Sequence, residues 1–477
     1  MTTAIRYTRF PRRDAAAAPE EDTAEAEVTQ SQTAGRVASP PREERLNPVV
    51  ILLLFSIATP FYFYLGPLWL SPNRVLLLLL FFPVLFRWLS GAAGPIRGAD
   101  FWVIGLCLWI ALAMFVSAGA NAIQFAGITM VETLGAYLTA RAYIRTEAQY
   151  RTVIRVLGLI CLLLVPGAII ESLTGVSIYN RLFGLAFQTF PWADYGRRLG
   201  MFRAQTVFEH PILYGVFVAF CFAPVFAMVR VRAGRLKAWM LSAPILIATF
   251  LSLSMGAYLG VLFQLMQMGW GLAMHKVAKR WQILGILSVL GYVTVDLISN
   301  RTPFEVLSSY LAFDGWTAYY RVLILDYGLE NVWENPILGL GVNAVHWKRP
   351  DFMAASTIDN FWLVYAIRYG IPGFLLIFGA YVMVLAGLMR AKLTDPVLQA
   401  YRDALAFSFI GLGIAICTVH LWNATYVFMM FMMGAGAWLS DVGGPVSPAA
   451  GQKPDGTARP VLDRKAPTTP QPPAKRP

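Results

Sequence analysis

Five arginines stand in two long segments that separate apolar runs of the chain, at Arg197, Arg198, Arg203, Arg301 and Arg321. The planar guanidinium group presents several N–H donors that bind phosphate oxygens in pairs. Such a group of arginines would bind an anionic ligand and would stabilise negative charge that develops on a leaving group. The alternative is that the arginines only contact lipid headgroups by snorkelling, which predicts that Arg321→Ala leaves activity intact.

Acid–base groups lie close to these arginines in the sequence. Glu209 and His210 directly precede Pro211, and Asp359 and Asn360 directly precede a long apolar run. A carboxylate or an imidazole within hydrogen-bond reach of a hydroxyl group can take its proton. Each pair also has a structural interpretation, because Pro is common in the first turn of a helix and Asp and Asn are favoured N-caps.

Two charged residues lie inside apolar runs. Arg368 follows Asp359 by nine residues, about 13 Å along a helix that rises roughly 1.5 Å per residue. Glu132 lies inside an earlier run. A charge at such a depth in a membrane is costly unless it is paired or lines a wet cavity. One arrangement that would satisfy both residues is an ion pair between Arg368 and Glu132.

The composition indicates a membrane protein. Of 477 residues, 57% are hydrophobic and only 14% are charged, whereas a soluble domain carries roughly 25% charged residues. The net charge of +12 does not indicate nucleic-acid binding, because most basic residues stand at helix ends and in the tails, where anionic lipid and topology explain them.

The apolar runs predict an all-α polytopic protein with about twelve transmembrane helices. The chain then divides into a disordered tail (1–46), a transmembrane domain (47–441) and a second disordered tail (442–477). The predicted spans are 48–65, 72–89, 101–117, 121–140, 152–172, 208–228, 238–254, 256–274, 281–298, 357–389, 403–420 and 423–440.

Short basic loops predict the orientation. If the chain has twelve spans, four short basic loops lie on the same side of the membrane. That side is then the cytoplasmic side, and both termini lie there as well. The two long segments, about 173–207 and 299–356, are therefore expected to face outward. The second has helical periodicity, and we expect it to fold over a cavity. Arginines in outward-facing segments are unusual, because Lys and Arg are normally enriched in cytoplasmic loops. They suggest an anionic ligand at the outer face, for which a lipid diphosphate is the natural candidate. The basic loops hold Arg141, Arg145 and Arg151; Arg230, Arg232, Arg235 and Lys237; Lys276, Lys279 and Arg280; and Arg390, Lys392 and Arg402.

Two sequence blocks near these arginines follow known patterns. The first, Arg-x-x-Gly-x-Phe-x-x-Pro, resembles residues 203–211, with Phe208 in register and Thr206 in place of the glycine. The second, a helix with an arginine followed by Pro-x-x-Gly-x-Gly, resembles Arg321 with residues 336–341. No strand precedes these glycines, so we interpret them as turn glycines rather than as a phosphate loop.

A third block completes the resemblance. The pattern His-Asn, nine residues, Gly-x-x-Gly resembles Asp359-Asn360 followed by Gly370 to Gly373, with Asp in place of His. In this order the three blocks, over about 200–375, resemble the bacterial O-antigen ligase and polysaccharide polymerase superfamily. The resemblance implies an integral membrane glycosyltransferase that is metal-independent, uses no cofactor and acts outside the inner membrane.

The resemblance also implies partners and roles. The donor would be a glycan on undecaprenyl diphosphate and the acceptor a growing polysaccharide, in contact with membrane lipid. Arg203 and Arg321 would hold the diphosphate, with Arg198 or Arg197 as a weaker addition and with Asn360 and Arg368 as further substrate-binding residues. Asp359 stands at the position of the histidine associated with proton removal, and Glu209 or His210 is the alternative base. A protein partner that regulates chain length is compatible with this activity.

Three functions stay open on these grounds. The first is a polymerase that joins lipid-linked repeat units into exopolysaccharide, capsule or O-antigen, which the missing histidine favours. The second is a ligase that transfers a finished glycan to lipid A core or to a protein. The third is a transporter of lipid-linked glycan, which we rank last because no repeated halves are visible and the unusual charge lies in the long loops.

Overall fold

The computed structural model describes residues 45–310, 315–353 and 357–442. These residues form mostly helices. The helices are α1 Pro48–Ile57, α2 Pro72–Leu89, α3 Gly98–Ala118, α4 Ile123–Met130, α5 Ala136–Tyr143, α6 Glu147–Thr174, α7 Ile178–Phe183, α8 Pro211–Ala233, α9 Arg235–Leu251, α10 Met255–Ala273, α11 Arg280–Ile298, α12 Pro303–Tyr310, α13 Gly315–Glu334, α14 Phe361–Arg390, α15 Pro396–Ala415, α16 Asn423–Ala435 and α17 Ala437–Val442. The strands are β1 Phe61–Leu65, β2 Leu68–Leu70 and β3 Gln188–Thr189.

Six helical stretches of the described residues are long and apolar enough to cross a membrane. The protein is therefore a helical membrane protein, while the predicted number of twelve spans is not confirmed. One stretch joins α3 to α5 and is interrupted at the 3₁₀ turn Gly119–Ala122. The six stretches are Pro72–Leu89, Gly98–Tyr143, Glu147–Thr174, Pro211–Ala233, Arg280–Ile298 and Phe361–Arg390.

The first predicted span, 48–65, is wrong beyond Ile57. Helix α1 ends there, because Pro60 cannot donate a helical hydrogen bond and disfavours the helical conformation of the residue before it. The aromatic sequence of β1 suits a strand, and Gly66, with a φ of 59°, allows the tight turn to β2. Strand β1 pairs antiparallel with both β2 and β3, so the chain contains a small sheet that the all-α prediction missed.

The two long predicted loops have structure of their own. The chain between α6 and α8 holds α7 and β3, and α8 begins at Pro211 rather than at 208. The segment after α11 holds α12 and the 20-residue α13, which is longer than the short helices expected. The predicted tails lie outside the described residues, apart from residues 45, 46 and 442.

Helix α8 occupies the interior of the helical assembly. In its most apolar part 89% of the residues are buried, and its Phe217 and Phe220 pack against Phe428 of α16. Phe220 also packs against Phe409 of α15. This packing fixes the first turn of α8, and with it Glu209 and His210, relative to the chain that leads into α16.

Candidate active site

The segment that carries Arg203 is held by the end of α6. The buried carboxylate of Glu171 accepts hydrogen bonds from the backbone N–H groups of Gln205 (3.2 Å) and Thr206 (2.9 Å) and from the indole N–H of Trp192 (3.1 Å). Ser172 adds two more hydrogen bonds with the backbone of residue 202. Because the backbone on both sides of Arg203 is fixed, its guanidinium group projects from a rigid base.

Arg203 has no hydrogen-bond partner among the residues that the structure describes. Its side chain is buried, with 8% of the residue exposed, yet it makes no hydrogen bond with the described residues, and its Nε atom is buried without a partner. Burial lowers the pKa of Arg203 to about 10, and the nearby Arg198 adds to this while Asp359 opposes it. The group is still a cation at neutral pH, and its donors are available to a ligand.

Asp359 lies between two arginines. Burial raises the pKa of the Asp359 carboxyl above its ordinary value, and the nearby Arg321 and Arg203 act to lower it. The carboxylate is half-buried and accepts no hydrogen bond from the described residues. The desolvated carboxyl group is thus not occupied by a hydrogen bond from the described residues, which leaves it able to accept a proton as a general base does.

Helix α13 brings Arg321 to this carboxylate. Leu323 and Ile324 of α13 belong to the same buried cluster as Leu363 and Ile367 of α14. The two helices approach so closely that a Cβ at Gly328 would lie 2.6 Å from Leu363 Cδ2. The packing places Arg321 next to the first turn of α14, where Asp359 stands.

His210 is the N-cap of α8 and sits at the edge of this group. Its Nδ1 accepts the N–H of Ile212 at 3.0 Å, so the ring proton is on Nε2. Burial lowers the pKa of His210 to about 3, and Arg203 and Arg198 lower it further. The imidazole is thus neutral and presents a donor, which suits it to hydrogen-bond a ligand oxygen better than to remove a proton.

Glu209 is engaged with the chain before and at the start of α16. Its carboxylate accepts hydrogen bonds from the indole N–H of Trp422 (2.6 Å) and from Nδ2 of Asn423 (2.7 and 2.9 Å). Burial raises the pKa of Glu209, and these hydrogen bonds oppose the rise. With both oxygens occupied, Glu209 serves as a clamp between α8 and α16, and the geometry gives it no free oxygen for proton transfer.

The remaining candidates have different surroundings. Arg198 donates to the carbonyl of Leu253 at 2.7 Å, while Arg197 is exposed and lies 4.2 Å from the ring of Phe202. Asn360 caps α14 by accepting the N–H of residue 363 at 3.1 Å. Arg301 is exposed between α11 and α12. Of the five arginines named from the sequence, Arg203, Arg321 and Arg198 are brought together near Asp359.

The expected pair of Arg368 with Glu132 is wrong. Glu132 pairs with Arg74 of α2 at 2.6 Å, because Arg74 is also buried and needs a carboxylate at the same depth. Arg368 lies over the ring of Phe125, 5.7 Å from its centroid. Both Arg368 and Glu132 nevertheless line one cavity of about 210 Å³.

Residues 240–378 match the family model described as O-Antigen ligase. The resemblance to the O-antigen ligase and polysaccharide polymerase superfamily is confirmed. The match indicates a glycosyltransferase-like membrane enzyme of the ligase or polymerase type, whose substrates are lipid-linked glycans. It covers Arg321 and Asp359, whereas Arg203 and His210 precede it. No match is found among curated proteins.

The glycines of the superfamily patterns fix the backbone and do not form a phosphate loop. Gly339 and Gly341 have φ values of 66° and 58°, which confirms their interpretation as turn glycines, and Gly370 has a φ of 71°. A Cβ at Gly370 would lie 2.0 Å from the carbonyl oxygen of Ile337. These glycines let the chain after α13 pack directly on the kink in α14.

Thr206 stands where the superfamily pattern has glycine, and its φ is 53°. A β-branched residue rarely adopts this left-handed conformation, which costs roughly 1–2 kcal/mol. The hydrogen bond from its N–H to Glu171 holds it there. The pattern therefore reflects a backbone requirement next to Arg203, and this chain meets it with strain.

Sequence reasoning missed several residues of the site. Tyr195 and Tyr258 lie within electrostatic reach of Arg203, and Trp422 packs on His210 with ring centroids 5.9 Å apart. No local pattern marks them, since an aromatic residue beside an apolar run is common in any membrane helix. Among the described residues, no group of three or more His, Cys, Asp or Glu side chains could hold a metal ion.

Proposed function

We propose that this protein is a polysaccharide polymerase that joins repeat units carried on undecaprenyl diphosphate. The observation that carries the proposal is that Arg203 and Arg321 both lie near Asp359, with Arg203 desolvated and without a hydrogen bond from the described part of the chain. When a glycan is transferred from a diphosphate to a hydroxyl group, negative charge develops on the diphosphate and the hydroxyl group loses its proton. Two cations can stabilise that negative charge, and a base beside them can take the proton.

The step balances as follows. The acceptor hydroxyl gives its proton to Asp359 while its oxygen forms a bond to the anomeric carbon of the donor. The bond between that carbon and the diphosphate oxygen breaks, and the electron pair leaves with the diphosphate. Arg203 and Arg321 hold the phosphate oxygens, and the Nε2–H of His210 is placed to donate to an oxygen of the same group. Since arginines supply the positive charge, the proposed mechanism uses no metal.

The proposal includes a location and an orientation. The short basic loops support an inner-membrane protein with both termini, and the two predicted tails, in the cytoplasm. The group around Asp359 then faces the periplasm, where no nucleotide is available and the diphosphate linkage itself provides the driving force. A chain-length regulator remains a candidate partner on the same side.

The ligase reaction is the second candidate, favoured by the description of the matching family model. Both reactions use the same donor chemistry and differ in the acceptor. The replacement of the superfamily histidine by Asp359 favours polymerisation in our proposal, because the histidine belongs to the ligase-like pattern.

The deciding experiment is to compare lipid-linked intermediates, by size and membrane side, in cells that lack the protein and in cells that carry Asp359→Asn. Single repeat units on the outer face are expected. Long chains there that never reach an acceptor would establish the ligase instead, and units held on the cytoplasmic face would indicate transport. Asp351→Asn, at an exposed aspartate before the same helix, is the matched control and should behave as wild type.

A further inference from the structure

A cavity of about 210 Å³ lies beside the site, between α2, α4, α14 and the chain that leads into α16. Its lining combines charged and aromatic side chains, which is unusual at a depth where apolar residues are the rule. Ionisable residues inside membrane segments face interior cavities and mark substrate pathways. The lining includes Arg74, Glu132, Tyr365, Arg368, His420 and Trp422.

The charges in this cavity do not cancel. Arg74 and Glu132 neutralise each other at 2.6 Å, and Arg74 also donates to Asn423 Oδ1 at 2.8 Å. Arg368 forms no ion pair with any carboxylate of the described residues. Its contacts are the ring of Phe125 and the neighbouring hydroxyl of Tyr369. One positive charge is therefore left for whatever enters the cavity.

His420 contributes an unused polar atom. Its imidazole is buried, and its Nδ1 has no hydrogen-bond partner among the described residues. The ring stacks between Phe361 and Trp422, with centroids 5.9 and 5.8 Å away. Buried polar atoms normally find a partner, and a ligand hydroxyl would supply one here.

Trp422 lies both on this cavity and against the group around Asp359. Its ring lines the cavity and also packs on His210, while its indole N–H is fixed on Glu209. Phe361, two residues after Asp359, stacks on His420 from the other side. A molecule whose reacting atom lies at Asp359 can therefore extend into the cavity with its next segment.

We propose that this cavity binds a single acidic sugar ring of the glycan substrate, with the carboxylate of the sugar on Arg368. The inference rests on the proposed function, which it deepens by naming a sugar class. The cavity is smaller than the roughly 300–1,000 Å³ pockets of drug-sized ligands, which suits one ring. Aromatic walls pack against the apolar face of a sugar, and a guanidinium group binds a carboxylate bidentately.

The test is binding of free glucuronate and free glucose to the full-length protein in lipid nanodiscs, measured by saturation-transfer NMR. Glucuronate should bind, and glucose should bind about tenfold more weakly, since it lacks the charged partner of Arg368. Arg368→Gln should weaken glucuronate binding by about tenfold. Arg301→Gln, which removes an exposed arginine, is the matched control and should leave it unchanged.

Equal binding of the two sugars, absence of glucuronate binding, or unchanged binding by Arg368→Gln would each overturn the assignment. His420→Phe preserves the stacked ring and removes its nitrogen atoms, so it tests the same site if Arg368→Gln fails to fold. Asp359→Asn separates this inference from the proposed function. It should abolish transfer and keep glucuronate binding, whereas loss of that binding would place the sugar at the Asp359 group and overturn the cavity.

Discussion

Arg74 and Arg203 are buried to the same extent, each with 8% of the residue exposed, yet they differ in their partners. Arg74 has an ion pair with Glu132, hydrogen bonds to Asn423 and to the carbonyl of Trp69, and the face of the Trp69 ring at 4.1 Å. Arg203 has no hydrogen bond with the described residues. The first arrangement stabilises the fold, and the second leaves donors directed at a ligand.

The carboxylates divide in the same way. Glu132, Glu171 and Glu209 all accept hydrogen bonds that fix one part of the chain to another. Asp359 accepts none from the described residues and is held by its position between Arg203 and Arg321. Satisfaction of hydrogen bonds, rather than burial or charge alone, therefore separates structural from functional ionisable residues in this protein.

Arg74→Gln is expected to have the largest effect. It leaves Glu132 as an unpaired buried charge, which costs about 3–5 kcal/mol of the free energy of unfolding. Thermal unfolding in nanodiscs measures the loss. The double variant with Glu132→Gln should recover part of it, because no charge is then left without a partner. A single variant as stable as wild type would remove the structural half of the comparison.

Arg203→Gln should act on activity instead. Loss of one charge-stabilising donor lowers the rate of transfer by about 10²–10³-fold, while the free energy of unfolding should not fall, because Arg203 contributes no hydrogen bond to the fold. Glycan transfer with a purified lipid-linked donor and thermal unfolding are measured on the same sample. A variant that loses stability and keeps its rate would reverse our assignment of Arg203.

Arg321→Lys keeps the charge and removes the planar fork. If the guanidinium group binds two phosphate oxygens, the rate of transfer should fall by about 10- to 100-fold. A decrease of this size corresponds to the free energy of a hydrogen bond to a charged group. The comparison is with Arg301→Lys, at an exposed arginine, which should transfer at the wild-type rate. Near-normal activity of Arg321→Lys would show that only the charge matters.

The pH dependence of transfer tests Asp359 as the base. Burial raises the pKa of this carboxyl above its ordinary value, and the base acts only when deprotonated. Transfer should therefore increase as the pH rises through that raised pKa. Arg321→Gln removes a cation that lowers the pKa, so its acid limb should lie at higher pH than in the wild type. If the acid limb of the pH–rate profile of Arg321→Gln coincides with that of the wild type, the titrating group is not Asp359.

Thr206→Gly should have the smallest effect. Glycine adopts the φ of 53° at residue 206 without strain, and part of the gain is lost to the greater flexibility of the unfolded chain. We expect stabilisation of about 1 kcal/mol or less, with an unchanged rate of transfer. Chemical unfolding measures it, and Thr206→Ala is the control that keeps a Cβ and should not gain as much.

Much of the fold could be predicted because apolar length alone indicates a membrane helix. The span predicted at 281–298 is the helix Arg280–Ile298, and the one at 152–172 lies within Glu147–Thr174. Strand β1 was missed because its run of aromatic residues is as apolar as a helix. Only Pro60 and the turn at Gly66 separate the two possibilities, and strand pairing with residues 188–189 has no local signal.

The site was predictable in its residue types and not in its pairings. Arginines in the long loops and a carboxylate at the start of an apolar run indicate the group around Asp359. The ion pair of Glu132 joins residues 58 positions apart, and the clamp on Glu209 joins residues 214 positions apart. Nothing in a local pattern distinguishes a partner at such a distance, so Arg368 was chosen for Glu132 where Arg74 is correct.

The kink at Gly370 has a mechanical consequence. The helical hydrogen bonding is broken there, and the freed backbone groups bond to the chain after α13. The N–H of Leu340 donates to the carbonyl of Ile367, and the N–H of Ile371 donates to the carbonyl of Pro336, both at 2.8 Å. These hydrogen bonds link α14 at its kink to the chain that directly follows α13. Because α13 also packs on the first half of α14, Arg321 and Asp359 belong to one packed unit, and the spacing between cation and base does not depend on the conformation of the rest of the chain between α11 and α14.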